Sequence, residues 1–210
     1  MRVVNMVHQY SKILVTGGAG FIGSHLVDRL INEGFEVTAI ENFYTGHLAN
    51  IAQHQGLQEF HLIKGDIRDY ELVKKTIKDV DAVFHEAALV SVPFSVEDPI
   101  LTNDINVTGT LNLLKAASDF GVKRFIFASS AAVYGDSILP KKSEDMNLSP
   151  TSPYGISKLN AENYVKLFHR LYGLETVSLR YFNVYGPRQS FDIQNSYGGV
   201  ITIFINRLLK

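Results

Sequence analysis

Tyr154 and Lys158 are the residues of this chain whose types and spacing most clearly suggest chemistry. They stand four apart after Ser152-Pro153, a serine cap and a first-turn proline, so the pattern predicts a helix with both side chains on one face. A tyrosine titrates at about 10 and is a poor base at neutral pH. A neighbouring ammonium would stabilise the phenolate and lower that pKa. Ser130, at the end of an apolar run, could place a hydroxyl at the same point.

Three glycines, Gly17, Gly20 and Gly23, stand at three-residue spacing between an apolar run and a helical pattern. A tight turn directly before a helix presents free N–H groups and a partial positive charge to a phosphate. Gly17 and Gly20 would permit the turn and the close approach of a ligand, and Gly23 would let the helix pack against the strand. The spacing differs from the commoner G-x-G-x-x-G, and a tight turn without a ligand would show the same pattern.

Acidic residues follow the next two apolar runs. Glu41 lies 18 residues after Gly23 and could accept hydrogen bonds from both hydroxyls of an adenosine ribose, which favours NAD over NADP. No arginine follows it directly to bind a 2′-phosphate. Asp66 could accept a hydrogen bond from the adenine amino group, or it could cap the helix that follows.

Elements that could position these residues alternate along the chain. The apolar runs that we expect to be strands are 12–16, 35–40, 59–65, 81–87, 122–129 and 174–180, and helical patterns lie near 20–33, 69–79, 99–120, 153–172 and 200–210. Strands separated by helices of this length imply right-handed crossovers and a parallel sheet covered on both faces. We therefore predict an α/β fold with a Rossmann-type doubly wound parallel sheet. The predicted parts are an N-terminal leader (1–11), an NAD-binding domain (12–180) and only the beginning of a C-terminal substrate-binding domain (181–210).

Composition narrows the function classes. The net charge of the 210-residue chain is -1, which gives no support to a nucleic-acid or anionic membrane surface. There is no cysteine, so disulfides, thiolate metal sites and thiol catalysis are excluded, and the histidines show no metal-ligand spacing. No apolar run approaches the ~20 residues of a membrane span, and the N-terminus has no signal-peptide pattern. We expect a cytoplasmic protein.

Seven motifs occur in order along the chain: TGGAGFIG, GDI, HEAA, NVTGT, ASSAAVYG, PYGISK and LRYFNVYG. With them the sequence strongly resembles the extended short-chain dehydrogenase/reductase family, specifically its NAD-dependent sugar-nucleotide epimerase/dehydratase group. The resemblance covers the chain from Lys12 onward. It implies NAD as cofactor and a UDP-sugar as substrate.

The resemblance also implies roles for single residues. Ser130, Tyr154 and Lys158 match the catalytic residues, and Lys158 would also hold the nicotinamide ribose. The implied cofactor-binding residues are Gly17, Gly20, Phe21, Ile22, Gly23, Glu41, Asn42, Asp66, Ile67, Ala87, Ala88, Asn106, Tyr154, Lys158 and Phe182. The implied substrate-binding residues are Ser91, Ser130, Asn183 and Arg188, and no metal site is implied.

The residues that follow Ser130 favour one reaction within this group. Related 4,6-dehydratases carry an acid there because eliminating water needs an additional acid/base, and decarboxylating relatives usually keep a glutamate. Ala131-Ala132 cannot transfer that proton. We therefore expect 4-epimerisation of a UDP-sugar of the UDP-glucose/UDP-galactose type. In the implied mechanism Tyr154 removes the 4-hydroxyl proton and the C4 hydride passes to NAD, giving a 4-keto sugar that is reduced on its other face.

Other functions are compatible with many of the same motifs. A dehydratase or decarboxylase, or a catalytically idle NAD-binding module, would explain many of the same motifs. SVPFS resembles the branch acting on N-acetylated UDP-sugars, but Phe94 replaces its usual arginine.

Apolar stripes in 99–120 and 153–172 resemble the helices that form the family's homodimer. Relatives continue beyond a helix like VITIFINRLLK, so we expect NAD binding and self-association but poor turnover unless another chain completes the cleft.

Overall fold

Six parallel strands form the centre of the computed structural model, which describes residues 10–138, 140–189 and 200–208. The strands are β1 (Lys12–Thr16), β2 (Glu36–Glu41), β3 (Phe60–Lys64), β4 (Ala82–His85), β5 (Arg124–Ser130) and β6 (Glu175–Tyr181). Their order in the sheet is β3-β2-β1-β4-β5-β6, and every neighbouring pair is parallel. This is the doubly wound Rossmann order, so the predicted fold class is confirmed.

Helices connect the strands and cover both faces of the sheet. They are α1 (Phe21–Asn32), α2 (Tyr70–Ile77), α3 (Val92–Glu97), α4 (Pro99–Asn103), α5 (Gly109–Asp119), α6 (Pro153–Tyr172) and α7 (Val200–Leu208). Short 3₁₀ turns span Leu48–Asn50, Ala52–His54 and Ala131–Tyr134, and a π-helical turn spans Asp104–Thr108. Among the described residues, no helix is both long and apolar enough to cross a bilayer.

Burial explains why the strands read as continuous apolar runs. Leu14 of β1 faces a core on the side of α2, α5 and α6, whereas its neighbours Ile13 and Val15 face a second core on the side of α1. Because both faces are covered, successive residues of a strand are apolar although they point in opposite directions. Val177 and Leu179 of the edge strand β6 are 43% and 40% exposed, so this edge is the least covered part of the sheet.

The connection between β4 and β5 differs from the single predicted helix. Ser91 caps α3, and Asp98 caps α4 by accepting from the Leu101 N–H at 2.9 Å, so two short helices precede the longer one. The predicted segment 99–120 then contains α4, the π-helical turn and α5 in succession. A π-helical turn has no composition that marks it, and such turns occur frequently at functional sites.

Asp81 joins the starts of three strands at the opposite end of the sheet from the glycine-rich turn. Its carboxylate accepts from the backbone N–H of Ser11 and Lys12 and from the Lys123 ammonium, at 2.8, 3.0 and 2.7 Å. Burial opposes the charge, but these bonds outweigh it and hold the pKa of Asp81 well below its usual value. The loops that carry the predicted site follow the carboxyl ends of the strands, at the other end of the sheet from Asp81.

Candidate active site

The glycine-rich turn joins β1 to α1 and packs against the residues that follow β4. Gly17 has a φ of +69°, which favours glycine, and a Cβ there would lie 2.9 Å from the Ala87 backbone N. A Cβ on Gly23 would lie 2.1 Å from the Gly17 carbonyl O, so both positions require glycine. At Gly20 the Gly17 carbonyl O is the one atom of the described residues that comes near, 3.1 Å from a Cβ placed there. The turn is therefore crowded on its β4 side and open where α1 begins.

The first turn of α1 offers backbone donors that no side chain caps. Gly20 is its N-cap residue, and the first turn contains no acidic residue. The N–H groups of Phe21, Ile22 and Gly23 have no acceptor in the helix's own hydrogen-bond pattern. Together with the helix dipole they form a positive end that suits a phosphate, and the missing side chain at Gly20 leaves space for one.

Glu41, the last residue of β2, is buried beside this turn. Its carboxylate accepts from the Ala19 N–H through Oε2 at 3.0 Å and from the Phe43 N–H through Oε1 at 2.9 Å. Each carboxylate oxygen thus has one donor and keeps a second acceptor position, as the predicted contact with two ribose hydroxyls requires. Phe43 adopts a φ of 61°, an uncommon value for a non-glycine residue, and its bond to Glu41 helps to hold it there.

Asp66 lies beside Asn42, the residue after Glu41, and its carboxylate already accepts hydrogen bonds from other protein groups. It accepts from the Arg68 guanidinium at 3.0 and 2.9 Å, from the Arg68 N–H at 2.9 Å and from the Asn42 amide at 3.0 Å. The hydrogen bonds from Arg68 lower the pKa of Asp66 to about 2. Four bonds use all of a carboxylate's acceptor positions, so an adenine amino group would have to displace one of these partners. Ile67, also predicted to line the cofactor, is buried in the core against Gly109.

A buried chain of hydroxyls and an imidazole supports the predicted cofactor positions after β4. The Ala87 N–H donates to Thr16 Oγ1 at 3.1 Å, and Thr16 Oγ1 lies 2.8 Å from His85 Nδ1. His85 Nε2 lies 2.8 Å from Thr110 Oγ1, which itself donates to a backbone carbonyl. Burial, and then the charge of Lys158, lower the pKa of His85 to about 3, so this imidazole is neutral and structural. Ala88 continues the segment and is half-buried.

Asn106 lies in the π-helical turn and binds protein groups on both of its amide atoms. Its Oδ1 accepts from the Leu89 N–H at 2.8 Å, and its Nδ2 donates to the Leu89 carbonyl and to Ser157 Oγ at 3.0 and 2.9 Å. Ser157 Oγ donates in turn to the Tyr154 carbonyl at 2.8 Å. Asn106 therefore connects the segment after β4 to the first turns of α6.

Ser130, Tyr154 and Lys158 are brought together at the carboxyl end of the sheet. Ser152 caps α6 by accepting from the Gly155 N–H at 3.1 Å, which is the predicted helix start. Ser130, at the end of β5, lies close enough to Tyr154 for its hydroxyl to lower the tyrosine pKa against the effect of burial. Lys158 is buried one turn further along α6 and donates to the Ala128 carbonyl O of β5 at 2.9 Å.

Burial dominates the electrostatics of this trio. It raises the pKa of Tyr154, and the Ser130 hydroxyl only partly opposes the rise. In the chain alone the pKa of Tyr154 is therefore raised and not lowered as expected, because burial disfavours the phenolate. Burial also lowers the pKa of Lys158 to about 8, while the charge of Glu86 acts in the opposite direction.

The predicted substrate-binding residues are more scattered. Ser91 uses its Oγ to cap α3, accepting from the Phe94 N–H at 3.2 Å. Asn183 is exposed in the loop after β6. Arg188, in the same loop, pairs with Asp28 of α1 at 2.7 Å, and its Nη1 is buried without a hydrogen-bond partner among the described residues.

The loop after β6 also carries the predicted cofactor residue Phe182. Its ring is 59% exposed and lies 6.3 Å, centroid to centroid, from that of Tyr134. Residues 190–199, which follow this loop in the sequence, and most of the predicted leader lie outside the described residues.

Two ionisable residues of the site did not stand out in the sequence. Glu86 directly follows β4, and Tyr181 is the last residue of β6, one position beyond the predicted strand. The Tyr181 hydroxyl donates to Glu86 Oε1 at 3.1 Å. An acidic residue immediately after an apolar strand was the available signal for Glu86. In the part of the chain that the structure describes, no group of three or more His, Cys, Asp or Glu residues could hold a metal.

Comparisons with known proteins extend these observations. A UDP-glucose 4-epimerase from Lactobacillus helveticus is 43% identical over 180 residues, which are 83% of this chain and 52% of that protein. A solved UDP-N-acetylglucosamine 4-epimerase from Methanobrevibacter ruminantium, in complex with UDP-N-acetylmuramic acid, is 43% identical with a TM-score of 0.90. The similarity covers 96% of this chain and 63% of that one.

A solved double mutant of a dTDP-glucose 4,6-dehydratase from Streptomyces venezuelae, with NAD bound, is 36% identical with a TM-score of 0.86. The similarity covers 94% of this chain and 62% of that one, so the chain spans between one half and two thirds of these relatives' lengths. Residues 13–210 match the family described as the NAD dependent epimerase/dehydratase family. Because this match extends over nearly all of the sequence, the chain belongs to the NAD dependent epimerase/dehydratase family.

Proposed function

We propose that this chain binds NAD and carries the catalytic residues of a nucleotide-sugar 4-epimerase. The observation that carries the proposal is that the fold brings the Ser130–Tyr154 pair together, with Lys158 one turn further along α6 and bonded to the Ala128 carbonyl of β5. The pair lies at the carboxyl end of a doubly wound sheet, where such folds bind their ligands. Similar proteins named UDP-glucose 4-epimerase and UDP-N-acetylglucosamine 4-epimerase support the reaction.

The residues at this end of the sheet fit NAD. The open, uncapped start of α1 at Gly20 would receive the pyrophosphate, with Phe21 and Ile22 as backbone donors. Glu41 retains two acceptor positions for the hydroxyls of the adenosine ribose. When bound, NAD supplies a reversible acceptor for a hydride from the sugar.

The side chains of this chain would manage the proton that accompanies that hydride. Tyr154, as phenolate, removes the proton from the sugar 4-hydroxyl, and Ser130 hydrogen-bonds the same oxygen. Because burial raises the pKa of Tyr154, the phenolate depends on positive charge nearby. Lys158 provides such a charge while it is protonated, and it would also hold the nicotinamide ribose.

Epimerisation is favoured over dehydration by the residues after Ser130. Ala131 and Ala132 begin a 3₁₀ turn, and the Ala132 N–H donates to Ser130 Oγ at 3.1 Å. Methyl groups at both positions cannot transfer the proton that elimination of water requires. The second candidate is a 4,6-dehydratase, which the similarity to the Streptomyces venezuelae enzyme favours.

We propose a UDP-sugar of the UDP-glucose/UDP-galactose type as the substrate. Asn183 would contact the diphosphate, and Ser91 lies where α3 begins at the same end of the sheet. The similarity to a UDP-N-acetylglucosamine 4-epimerase makes the N-acetylated sugars the comparison substrates.

Incubation of the purified chain with NAD and each UDP-sugar tests the function. We expect NMR to show inversion at C4 and mass spectrometry to show a product of unchanged mass. A product lighter by one water would favour the dehydratase instead. Failure to bind NAD, measured by calorimetry before any sugar is added, would refute the proposal.

A further inference from the structure

Lys158 is an ammonium in an apolar position that supplies few acceptors. The side chain is buried, and Nζ donates to the Ala128 carbonyl O and lies 5.0 Å from the centroid of the Phe127 ring. An ammonium has three donors, and among the described residues one carbonyl accepts from Lys158, which leaves donors over for a further acceptor. Burial accordingly lowers its pKa, which is about 8 with the neighbouring charges included. A nearby negative charge stabilises the protonated form.

Glu86 and Tyr181 bring such a charge across β5. Glu86 follows β4 and Tyr181 ends β6, so the two lie on the strands that flank β5 on either side. Their hydrogen bond, 3.1 Å from Tyr181 Oη to Glu86 Oε1, crosses the end of β5. Tyr181 pairs with Ser130 of β5, and Glu86 follows the residue that pairs with Phe127, so the bond lies beside Ala128, whose carbonyl accepts from Lys158.

The charges of these groups depend on one another. Burial raises the pKa of Glu86, and the hydrogen bond from Tyr181 and the charge of Lys158 only partly oppose that rise. The charge of Glu86 raises the pKa of Lys158 against the effect of burial. Burial and the Glu86 charge raise the pKa of Tyr181 well above its usual value, so Tyr181 stays a protonated donor.

Other titratable groups packed around Lys158 do not supply this charge. His85 of β4 is neutral, and Tyr154 on α6 is also neutral in the chain alone because burial raises its pKa. Glu162, one turn along α6, is compensated by Arg180 of β6 at 2.7 Å and Lys166 at 2.8 Å. Glu86 is the carboxylate whose charge acts on Lys158 in the part of the chain that the structure describes.

We propose that Glu86, held in place by Tyr181, is a positioning residue that keeps Lys158 protonated beside Tyr154. The consequence for catalysis rests on the proposed function, because it requires Lys158 to stabilise the Tyr154 phenolate. The effect on Lys158 itself does not depend on that function and can be measured without NAD or substrate.

NMR titration of the cofactor-free chain labelled with ¹³C at lysine Cε tests the inference directly, with Lys158→Arg identifying the Lys158 signal. In Glu86→Gln we expect the Lys158 titration to move down by about one pH unit, the scale of one nearby opposite charge. Tyr181→Phe should lower the titration midpoint of Lys158 by a smaller amount, and in Glu86→Asp this midpoint should stay nearer to that of the parent chain. Exposed Glu59→Gln, before β3, and Tyr185→Phe, in the loop after β6, are matched controls.

The pH dependence of turnover provides the second readout. In Glu86→Gln the alkaline limb of kcat should move to lower pH, because Lys158 loses its proton earlier. An unchanged Lys158 pKa in Glu86→Gln overturns the inference. If Glu86→Gln does not fold, the same measurement on Tyr181→Phe decides. A chain that shows the NMR shift but neither binds NAD nor converts a UDP-sugar refutes the proposed function and supports the positioning role.

Discussion

Tyr154 has its pKa raised by burial before any ligand is bound, and this sets what its removal should do. In Tyr154→Phe we expect UDP-sugar turnover to fall by about 10²–10⁴-fold, as for other acid/base groups, because the base is lost with little change in volume. The NAD dissociation constant should change little. Steady-state kinetics and calorimetry measure the two quantities, with Tyr164→Phe on the partly exposed face of α6 as control. Retained turnover in Tyr154→Phe would show that another group is the base.

Glu41 determines the expected cofactor preference. A 2′-phosphate would meet a buried carboxylate of like charge, so NAD should bind at least about tenfold more tightly than NADP, or ~1.4 kcal/mol. Glu41→Gln removes the charge and can keep one backbone hydrogen bond, so it should reduce the difference in affinity between NAD and NADP. Dissociation constants for both dinucleotides test this, and equal affinities in the parent chain would contradict the ribose assignment.

At the scale of elements, α6 is held against the sheet by a buried ion pair. Glu162 of α6 accepts from Ser129 of β5 at 2.9 Å and from the Arg180 guanidinium of β6 at 3.1 and 2.7 Å. Arg180 also donates to Tyr134 Oη at 3.1 Å, which reaches the 3₁₀ turn after Ser130. The pair therefore fixes the helix that carries Tyr154 relative to the strand that carries Ser130.

Removing the cation from this pair should destabilise the fold. In Arg180→Met we expect the free energy of unfolding to fall by about 3 kcal/mol, because a buried carboxylate loses its main partner. Lys166 remains within 2.8 Å of Glu162 and limits the loss. Urea unfolding measures it, with exposed Arg170→Met on the same helix as control. An equal effect of both substitutions would show that the ion pair contributes nothing specific.

For the whole molecule, carboxylates that are paired in the folded state predict a loss of stability in acid. Hydrogen bonds from Arg68 lower the pKa of Asp66 to about 2, and those to Glu162 outweigh burial and lower its pKa to about 2. A group whose folded pKa is depressed stabilises the fold above its unfolded pKa and loses that effect as pH falls. The urea midpoint should therefore be constant near neutrality and fall between pH 4.5 and about 2. Asp81→Asn should lower the neutral-pH midpoint and weaken this dependence.

Self-association is the second prediction for the whole molecule. Ile156, Leu167 and Leu171 lie along one side of α6 and are 48%, 38% and 63% exposed, and Ile100 of the neighbouring α4 is 82% exposed. Apolar stripes of this kind mark interaction surfaces. We expect sedimentation to show a dimer that Leu167→Glu dissociates, whereas Ile138→Glu, at a residue 96% exposed elsewhere, leaves it intact. A monomeric parent chain would contradict the predicted homodimer.

Local sequence determined the elements of this protein because their causes are local. The apolar runs indicated the six strands, since a doubly covered sheet buries both faces of each strand. Ser152-Pro153 indicated the start of α6, and the four-residue step from Tyr154 to Lys158 placed both on one helical face. Gly17 and Gly23 marked the turn because their own backbone geometry excludes a side chain.

Only the tertiary structure decided which distant groups meet and how charged they are. Glu86 and Tyr181 are 95 positions apart, and their bond exists because β4 and β6 lie on either side of β5. Arg188 pairs with Asp28 because its loop crosses α1, and no local pattern specifies that crossing. The pKa of Tyr154 likewise depends on burial, which is a property of the packed fold and not of the motif in which the residue stands.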